Sequence, residues 1–306
     1  GETLEHGIET VFILDESKAL LLSANEKFTE KVKEKNSKGE IVESVMEHQP
    51  GDRWMVYGPC SFVPPTSVTI IEERMKIPLD KNEGIYVRDI RTGLVRSVIG
   101  TTYMLKPHEE LWNMEVPSTV EGILDKENST STKRIKYKVV TFRCPHNCAV
   151  QIFDFKLKKS RIELGPKLVM LAPDEQFTIS VLSGGKPKVP GKFTVISVML
   201  GPDFSTDVVE VETSDHAALR LKLSYNWYFK IDKDNQESIE KIFNVKDFIG
   251  EICNILASKV RSAVASVDFD SFHKSSARII RKAIFGIDEA GKINKEFLND
   301  KNNLCV

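Results

Sequence analysis

The sequence has 306 residues, enough for one large domain or for two to four smaller ones with real cores. Forty-three Lys and Arg stand against 44 Asp and Glu, a net charge of −1, which argues against a dedicated nucleic-acid binder with its basic excess. Hydrophobic residues at 41% and charged residues at 28% exclude a disordered chain, and no apolar run approaches the roughly 18 residues of a membrane-spanning helix.

In chain order, Thr10–Leu22 predicts the first half of a small β-unit. Lys31–Glu47, charged and containing Ser and Gly, predicts an inserted loop. Arg53–Gly58 and Phe62–Pro65 supply the second half of the unit. The next segment repeats: a gap-free slide of 65 positions carries Asn82–Trp112 onto Asn147–Phe177. Asn82, Asp89, Arg96, Gly100 and Glu110 then fall on Asn147, Asp154, Arg161, Gly165 and Glu175. Ile85, Val87, Ile99, Leu105 and Trp112 fall on Val150, Ile152, Leu164, Met170 and Phe177. Arg53–Gly58 reads as a further copy of Arg96–Gly100.

Each copy reads as a strand, a charged turn, and a second strand that stops at Gly58-Pro59, Gly100 or Gly165-Pro166. A third strand follows, with a corner of Pro and acid. An antiparallel unit this small has difficulty holding a core alone and is expected to stack on neighbours, as a rod of β-units. Ser118–Lys133 predicts a loop between copies, and Gly184–Gly191 a linker at which the pattern changes to α/β. Beyond it, Phe193–Leu200 predicts a strand closed by Gly201-Pro202, and Val208–Glu212 another. Leu219 to Ile231 alternates apolar and polar residues and predicts a long half-buried strand. Helices are expected after Asp234, from Asp247 along the stripe Phe248, Ile252, Ile255, Leu256 and Val260, and from Asp270 to Gly286. Leu304–Val306 predicts a final strand.

The expected fold class is therefore multidomain: tandem small antiparallel β repeat domains at 1–70 (with the inserted loop 31–47), 71–130 and 131–190, then an α/β domain at 191–306. Gly58, Pro59, Gly100, Gly165, Pro166, Gly201, Pro202 and Gly286 are the expected structural turn residues. The opening Gly1-Glu2-Thr3 has neither Met nor a basic-then-apolar leader, so a piece of a longer chain without a signal peptide is expected. Five irregularly spaced cysteines make no disulfide framework and point to a reducing, cytoplasmic setting, with a minor nuclear share.

Arg53–Pro65 and Ile77–Asp89 resemble the repeat signature of the major vault protein family. Leu200–Phe204, Thr213–Leu219 and Tyr225-Asn226-Trp227 resemble the start of that family's shoulder domain, and Ala263–Val267 and Phe272–Arg281 resemble its helices. The resemblance covers the chain in order. It implies the last wall repeats plus a shoulder similar to the band-7 (stomatin/prohibitin) fold. It further implies copies standing side by side in a hollow cytoplasmic ribonucleoprotein shell. The implied partners are other copies of the chain and, in the full particle, a poly(ADP-ribose) polymerase, a telomerase-associated protein and a small RNA. No cofactor, no catalysis and no direct nucleic-acid contact are implied; the alternative is a band-7-like lipid, membrane or protein scaffold module.

Cys144, His146 and Cys148 have the residue types of a zinc set, or of a weaker metal site, but a fourth ligand and a second paired half are missing nearby. The sister stretch Leu79–Glu83 holds neither Cys nor His, which favours a turn. Asp215-His216 and His273 near Ser275 lack a nucleophile elbow, and structural roles are expected for them. Ser183–Lys186 has the wrong spacing for a phosphate loop. Glu72-Glu73-Arg74 and Glu109-Glu110 read as weak calcium candidates, as solvated corners or as lateral contacts, and Lys133–Lys138 as the wet face of a strand. Asn128-Ser129-Thr130 fits a glycosylation acceptor that a cytoplasmic chain does not use.

Overall fold

A computed structural model describes residues 11–35, 41–127 and 134–306. The chain forms two compact units, one of residues 1–115 with 134–139, the other of 116–133 with 140–306.

In the first unit, β1 (Phe12–Leu14), β2 (Lys18–Ala24), β3 (Phe28–Lys35), β4 (Ile41–His48), β5 (Arg53–Tyr57), β6 (Cys60–Phe62) and β7 (Val68–Met75) come first. The central β2 lies between β5 and β7, and β1 pairs with β6. Its Leu20 and Leu22 are fully buried, with Leu14 and Val68, against Trp54, Val56 and Phe62. The stretch expected as an inserted loop over 31–47 is instead largely a two-stranded ribbon: β3 pairs with β4 from Phe28↔His48 to Lys35↔Ile41. Charge misleads here, because a charged hairpin and a charged loop share one composition. Then come β8 (Gly84–Asp89), β9 (Val95–Ile99) and β10 (Glu109–Leu111), in the order β10-β8-β9. Residues 134–139 return along β8, where Tyr86 N donates to Tyr137 O and Val139 N to Gly84 O.

The second unit opens with α1 (Ser118–Glu127), which buries Val120 and Leu124. The expected loop over 118–133 is thus helical through Glu127; Asn128–Lys133, with the glycosylation acceptor, lie outside the described residues. Its β-part comprises β11 (Thr141–Cys144), β12 (Cys148–Asp154), β13 (Lys159–Leu164), β14 (Lys167–Met170) and β15 (Glu175–Phe177), with β12 between β13 and β15 and β11 paired to β14. The expected linker over 184–191 is the end of a hairpin, in which β16 (Ser180–Gly184) and β17 (Val189–Val195) pair around a turn at 185–188. A short β18 (Ser197–Met199) then rejoins β12.

The remainder is a sheet with helices on it. β19 (Asp203–Glu212) pairs with β20 (Ala218–Phe229) over ten positions, from Asp203↔Trp227 to Glu212↔Ala218. β21 (Leu298–Asn299) and β22 (Leu304–Cys305) complete the order β19-β20-β22-β21. After β20 come α2 (Gln236–Glu240) with a 3-10 turn at Lys241–Phe243, α3 (Phe248–Ala265) and α4 (Phe269–Phe285). The helix expected from Asp247 is α3, and Asp247 caps it by accepting from Gly250 N. The two caps expected at Asp234 and Asp270 are displaced: Asn235 receives Glu237 N and Ser238 N, and Asp268 receives Ser271 N. Phe248, Ile252, Leu256, Val260 and Val264 of α3 are buried with Trp227 and Phe229 of β20, and the same cluster reaches Ala149 and Val198.

Candidate functional site

Strand registers place the three β-units on one template. Leu14 and Cys144 each end a short strand, Leu79 follows the isolated bridge Ile77↔Tyr103, and all three are buried. A turn follows in every copy, closed by Lys18 N to Asp15 O in the first and by Glu83 N to Asp80 O in the second. The second strand then returns to that turn: Gly58 N donates to Lys18 O, Gly100 N to Glu83 O and Gly165 N to Cys148 O. At Gly58 and Gly165 a Cβ would run into the carbonyl oxygens of Asp15 and Pro145. Gly100 instead adopts φ +71°. The bonds Gly58-Pro59, Gly165-Pro166 and Gly201-Pro202 are all cis. Gly201 and Gly286 hold φ of +81° and +73°, the latter at the end of α4.

Register also corrects the gap-free slide. Glu109 pairs with Asp89, and Glu175 with Asp154, so Glu109, not Glu110, matches Glu175. Likewise Leu111↔Val87 matches Phe177↔Ile152, where Trp112 had been expected. The third copy thus has one extra residue between Gly165 and Glu175. The first copy shifts as well: Leu22↔Trp54 matches Val87↔Arg96 and Ile152↔Arg161, so Trp54 rather than Arg53 takes the arginine position.

Those positions form a latch. Glu109 is 5% exposed and accepts from Arg96 Nη2 at 2.7 Å, Tyr103 Oη at 2.5 Å and Lys106 N at 3.0 Å. Glu175, 9% exposed, accepts from Arg161 and from Ala172 N at 2.8 Å. Burial alone would raise both carboxyls, but these donors together hold each below the ordinary glutamate value. Burial and Glu109 push the Tyr103 hydroxyl up to about 12. In the first copy the two positions hold Trp54 and Val68, an apolar pair in one cluster. Arg74, expected with its neighbours as a solvated corner, is buried and donates to the carbonyls of Leu105 (3.3 Å) and Lys106, tying the first copy to the second. Glu110, by contrast, is exposed and lies 3.7 Å from Arg88.

The metal candidates take places in the same template. Cys144 sits where Leu14 and Leu79 sit, and its Sγ lies 3.5 Å from Cys148 O. Burial pushes its thiol up to about 11 and raises that of Cys148, which opposes the thiolate that zinc requires. His146 is exposed at the turn, and Asn147 holds φ +58° while its amide donates to Gly201 O. No group of three or more His, Cys, Asp or Glu suited to a metal ion occurs among the described residues. Asp215 accepts from Thr213 Oγ1 and from Phe269 N, His216 Nδ1 lies 2.7 Å from Glu212, and the His273 ring rests near Phe269. Each serves a turn or a helix start.

The template has counterparts among known proteins. The "Major Vault Protein" repeat profiles match residues 12–65, 76–132 and 139–206, and the "Shoulder domain" profile matches 201–306. The chain belongs to the major vault protein family. It is 53% identical to "Major vault protein alpha" of Dictyostelium discoideum and 48% identical to the "Major vault protein" of Strongylocentrotus purpuratus. Both matches cover all of this chain, and 35% and 36% of those relatives. The Bos taurus "Major vault protein" is 49% identical over 94% of the chain and 33% of its own length. The chain therefore spans about a third of the major vault proteins it matches.

Proposed function

We propose that the chain is a structural segment of a vault shell. Units over 1–70, 71–130 and 131–190 build wall, and 191–306 builds a shoulder of band-7-like fold. Copies associate side by side, without catalysis, in the cytoplasm with a minor nuclear share. In the full particle a poly(ADP-ribose) polymerase, a telomerase-associated protein and a small RNA accompany them. The observation that carries this reading is the thrice-used template, whose polar groups are taken up in latches and turns rather than converging on a reactive centre. Exposed apolar side chains on each copy, such as Ile13, Val63, Leu94, Phe155 and Leu157, support burial against neighbours. The apolar stripe of α3 lies in the core and offers no face to a bilayer, and no helix among the described residues is long and apolar enough to cross one.

The test is negative-stain electron microscopy of a full-length protein containing this chain, expressed alone. Hollow barrels are the expected result; dispersed monomers would overturn the shell reading.

A further inference from the structure

The ribbon of β3 and β4 joins the first copy through a stack of rings. His48, the last residue of β4, lies opposite Phe28, with ring centroids 5.0 Å apart and planes 24° apart. On Trp54 of β5 the same imidazole rests at 4.0 Å, again at 24°. Phe28 and Trp54 both pack on the core of Leu14, Leu20, Leu22 and Val68. His48 is 4% exposed, and its Nε2 has no hydrogen-bond partner among the described residues. The Glu30 carboxylate stands 3.6 Å from that nitrogen, just beyond hydrogen-bond reach, on the ribbon face that carries Phe28. Other charges on the surrounding strands are directed elsewhere. Lys27 pairs with Glu47, Asp52 accepts from Gln49 N, and Arg53 lies on the opposite face of β5 from Trp54. Behind Trp54, β2 presents the apolar Leu22.

We propose that His48 is a proton-operated clasp, whose imidazolium seats the ribbon on the first copy through Glu30 and Trp54. A neutral imidazole carries one N–H, on either nitrogen; the cation carries both, so its Nε2 always donates. A side-chain movement of about 1 Å brings Glu30, 40% exposed, into a charge-assisted bond with it. The cation also lies against the face of tryptophan, the aromatic ring that attracts cations best. Both gains belong to the charged form alone. Burial opposes the charge, and the opening to water at Glu30 moderates that opposition. An imidazole takes up its charge within about pH 5 to 8, so mild acid tightens the ribbon and neutral pH eases it. At the place of Trp54 the other copies hold Arg96 and Arg161, whose charge is permanent. The first copy thus has a conditional cation where they have a fixed one. The clasp is independent of shell assembly.

The test uses the 306-residue chain labelled with 5-fluorotryptophan. Its three tryptophans give three fluorine resonances, assigned by single Trp→Phe substitutions. Between pH 8 and 5, at which imidazoles titrate, the Trp54 resonance is expected to move along one titration curve while those of Trp112 and Trp227 stay. Hydrogen exchange read by mass spectrometry, corrected for the intrinsic rate at each pH, should show protection around Phe28 and His48 rising about fivefold from pH 7.5 to 5.5. His48→Gln, which keeps polar groups but takes no charge, should remove this rise. Glu30→Gln, at a partly exposed position, should cut it by at least half without disturbing the core. A Trp54 resonance that ignores pH would overturn the proposal, as would a rise in protection that survives both substitutions. So would protection that falls on acidification, which would mean that burial outweighs the pair.

Discussion

Arg161 grips Glu175 with two hydrogen bonds, Nε to Oε1 at 2.7 Å and Nη2 to Oε2 at 2.9 Å, across the strand that separates them. The same guanidinium reaches Met170 O at 3.1 Å and Glu163 at 2.5 Å, so one side chain fixes the corner of the third copy to its central sheet. Arg96 and Glu109 do this for the second copy with Tyr103 between them.

Glu109→Gln and Glu175→Gln are each expected to lower stability by about 2 kcal/mol, since each removes the charge of a buried carboxylate on which a guanidinium and a backbone N–H converge. Glu110→Gln, at an exposed pair, should change stability by less than about 0.5 kcal/mol. Urea denaturation of the three variants measures this. Equal effects at 109 and 110 would contradict the register that equates Glu109 with Glu175.

Acid should act through the same carboxylates. Both are held below their ordinary value of 4.5 in the folded chain. A depressed carboxylate stabilises the fold fully above its unfolded pKa, and that contribution is lost as the pH falls through the folded value. The urea midpoint of the wild-type chain is therefore expected to drop as pH falls below about 4.5, and the double variant Glu109→Gln/Glu175→Gln to show a shallower drop. Parallel pH curves would remove these two groups from the account.

Cys144→Leu should be tolerated, with a change under about 1.5 kcal/mol, because leucine already fills that place at 14 and 79. Chelator should leave the melting temperature of the wild-type chain unchanged. A zinc site would show the opposite on both counts, and elemental analysis of the purified chain provides a third readout.

Gly165→Ala is expected to destabilise by about 3 kcal/mol, since the new Cβ would collide with Pro145 O and only backbone movement relieves it. Gly122→Ala, inside α1 with open space around it, should stabilise by about 0.5 to 1 kcal/mol through helix propensity. Thermal melts of the pair separate a steric requirement for glycine from a conformational one.

The turns were legible because Gly and Pro act locally: Gly58-Pro59, Gly165-Pro166 and Gly201-Pro202 all lie where the sequence puts them. The alternation of Leu219 to Phe229 was legible because a sheet with one wet face writes period two into the chain. The latch was not, because it depends on cross-strand register. One inserted residue between Gly165 and Glu175 moves a carboxylate by one position, and two adjacent acids at 109 and 110 satisfy either alignment. Trp54 was hidden for the same reason, its neighbour Arg53 offering a false identity. The ribbon over β3 and β4 and the helix α1 were missed because their charged and polar residues match the composition of loops. Trp227 reads only as one apolar tooth of a strand; that its Nε1–H meets no acceptor among the described residues is a property of packing alone.

Insertions enter the template at recurring points. The ribbon replaces the turn that Asp89 and Asp154 close in the other copies by accepting from the backbone N–H groups two and three residues on. The first copy runs β7 along β2 as a single strand, past Val68 and Glu73, with one register shift between Leu21 and Leu22. The second splits that edge into β10 and residues 134–139, with α1 between them in sequence, and the third into β15 and β18, with the β16–β17 hairpin between them.

The exchange of Arg and Glu for Trp and Val at one geometric place has a consequence for how such copies diverge. Converting one chemistry into the other takes two substitutions, and either intermediate is worse than both endpoints. Glutamate facing tryptophan strands a carboxylate away from water; arginine facing valine gives up its hydrogen-bonded charge partner. A duplicated unit is therefore trapped in the version it inherits, and a lineage crosses between them only by passing through a less stable ancestor. Each latch is in this sense held in place by an energetic barrier in sequence space.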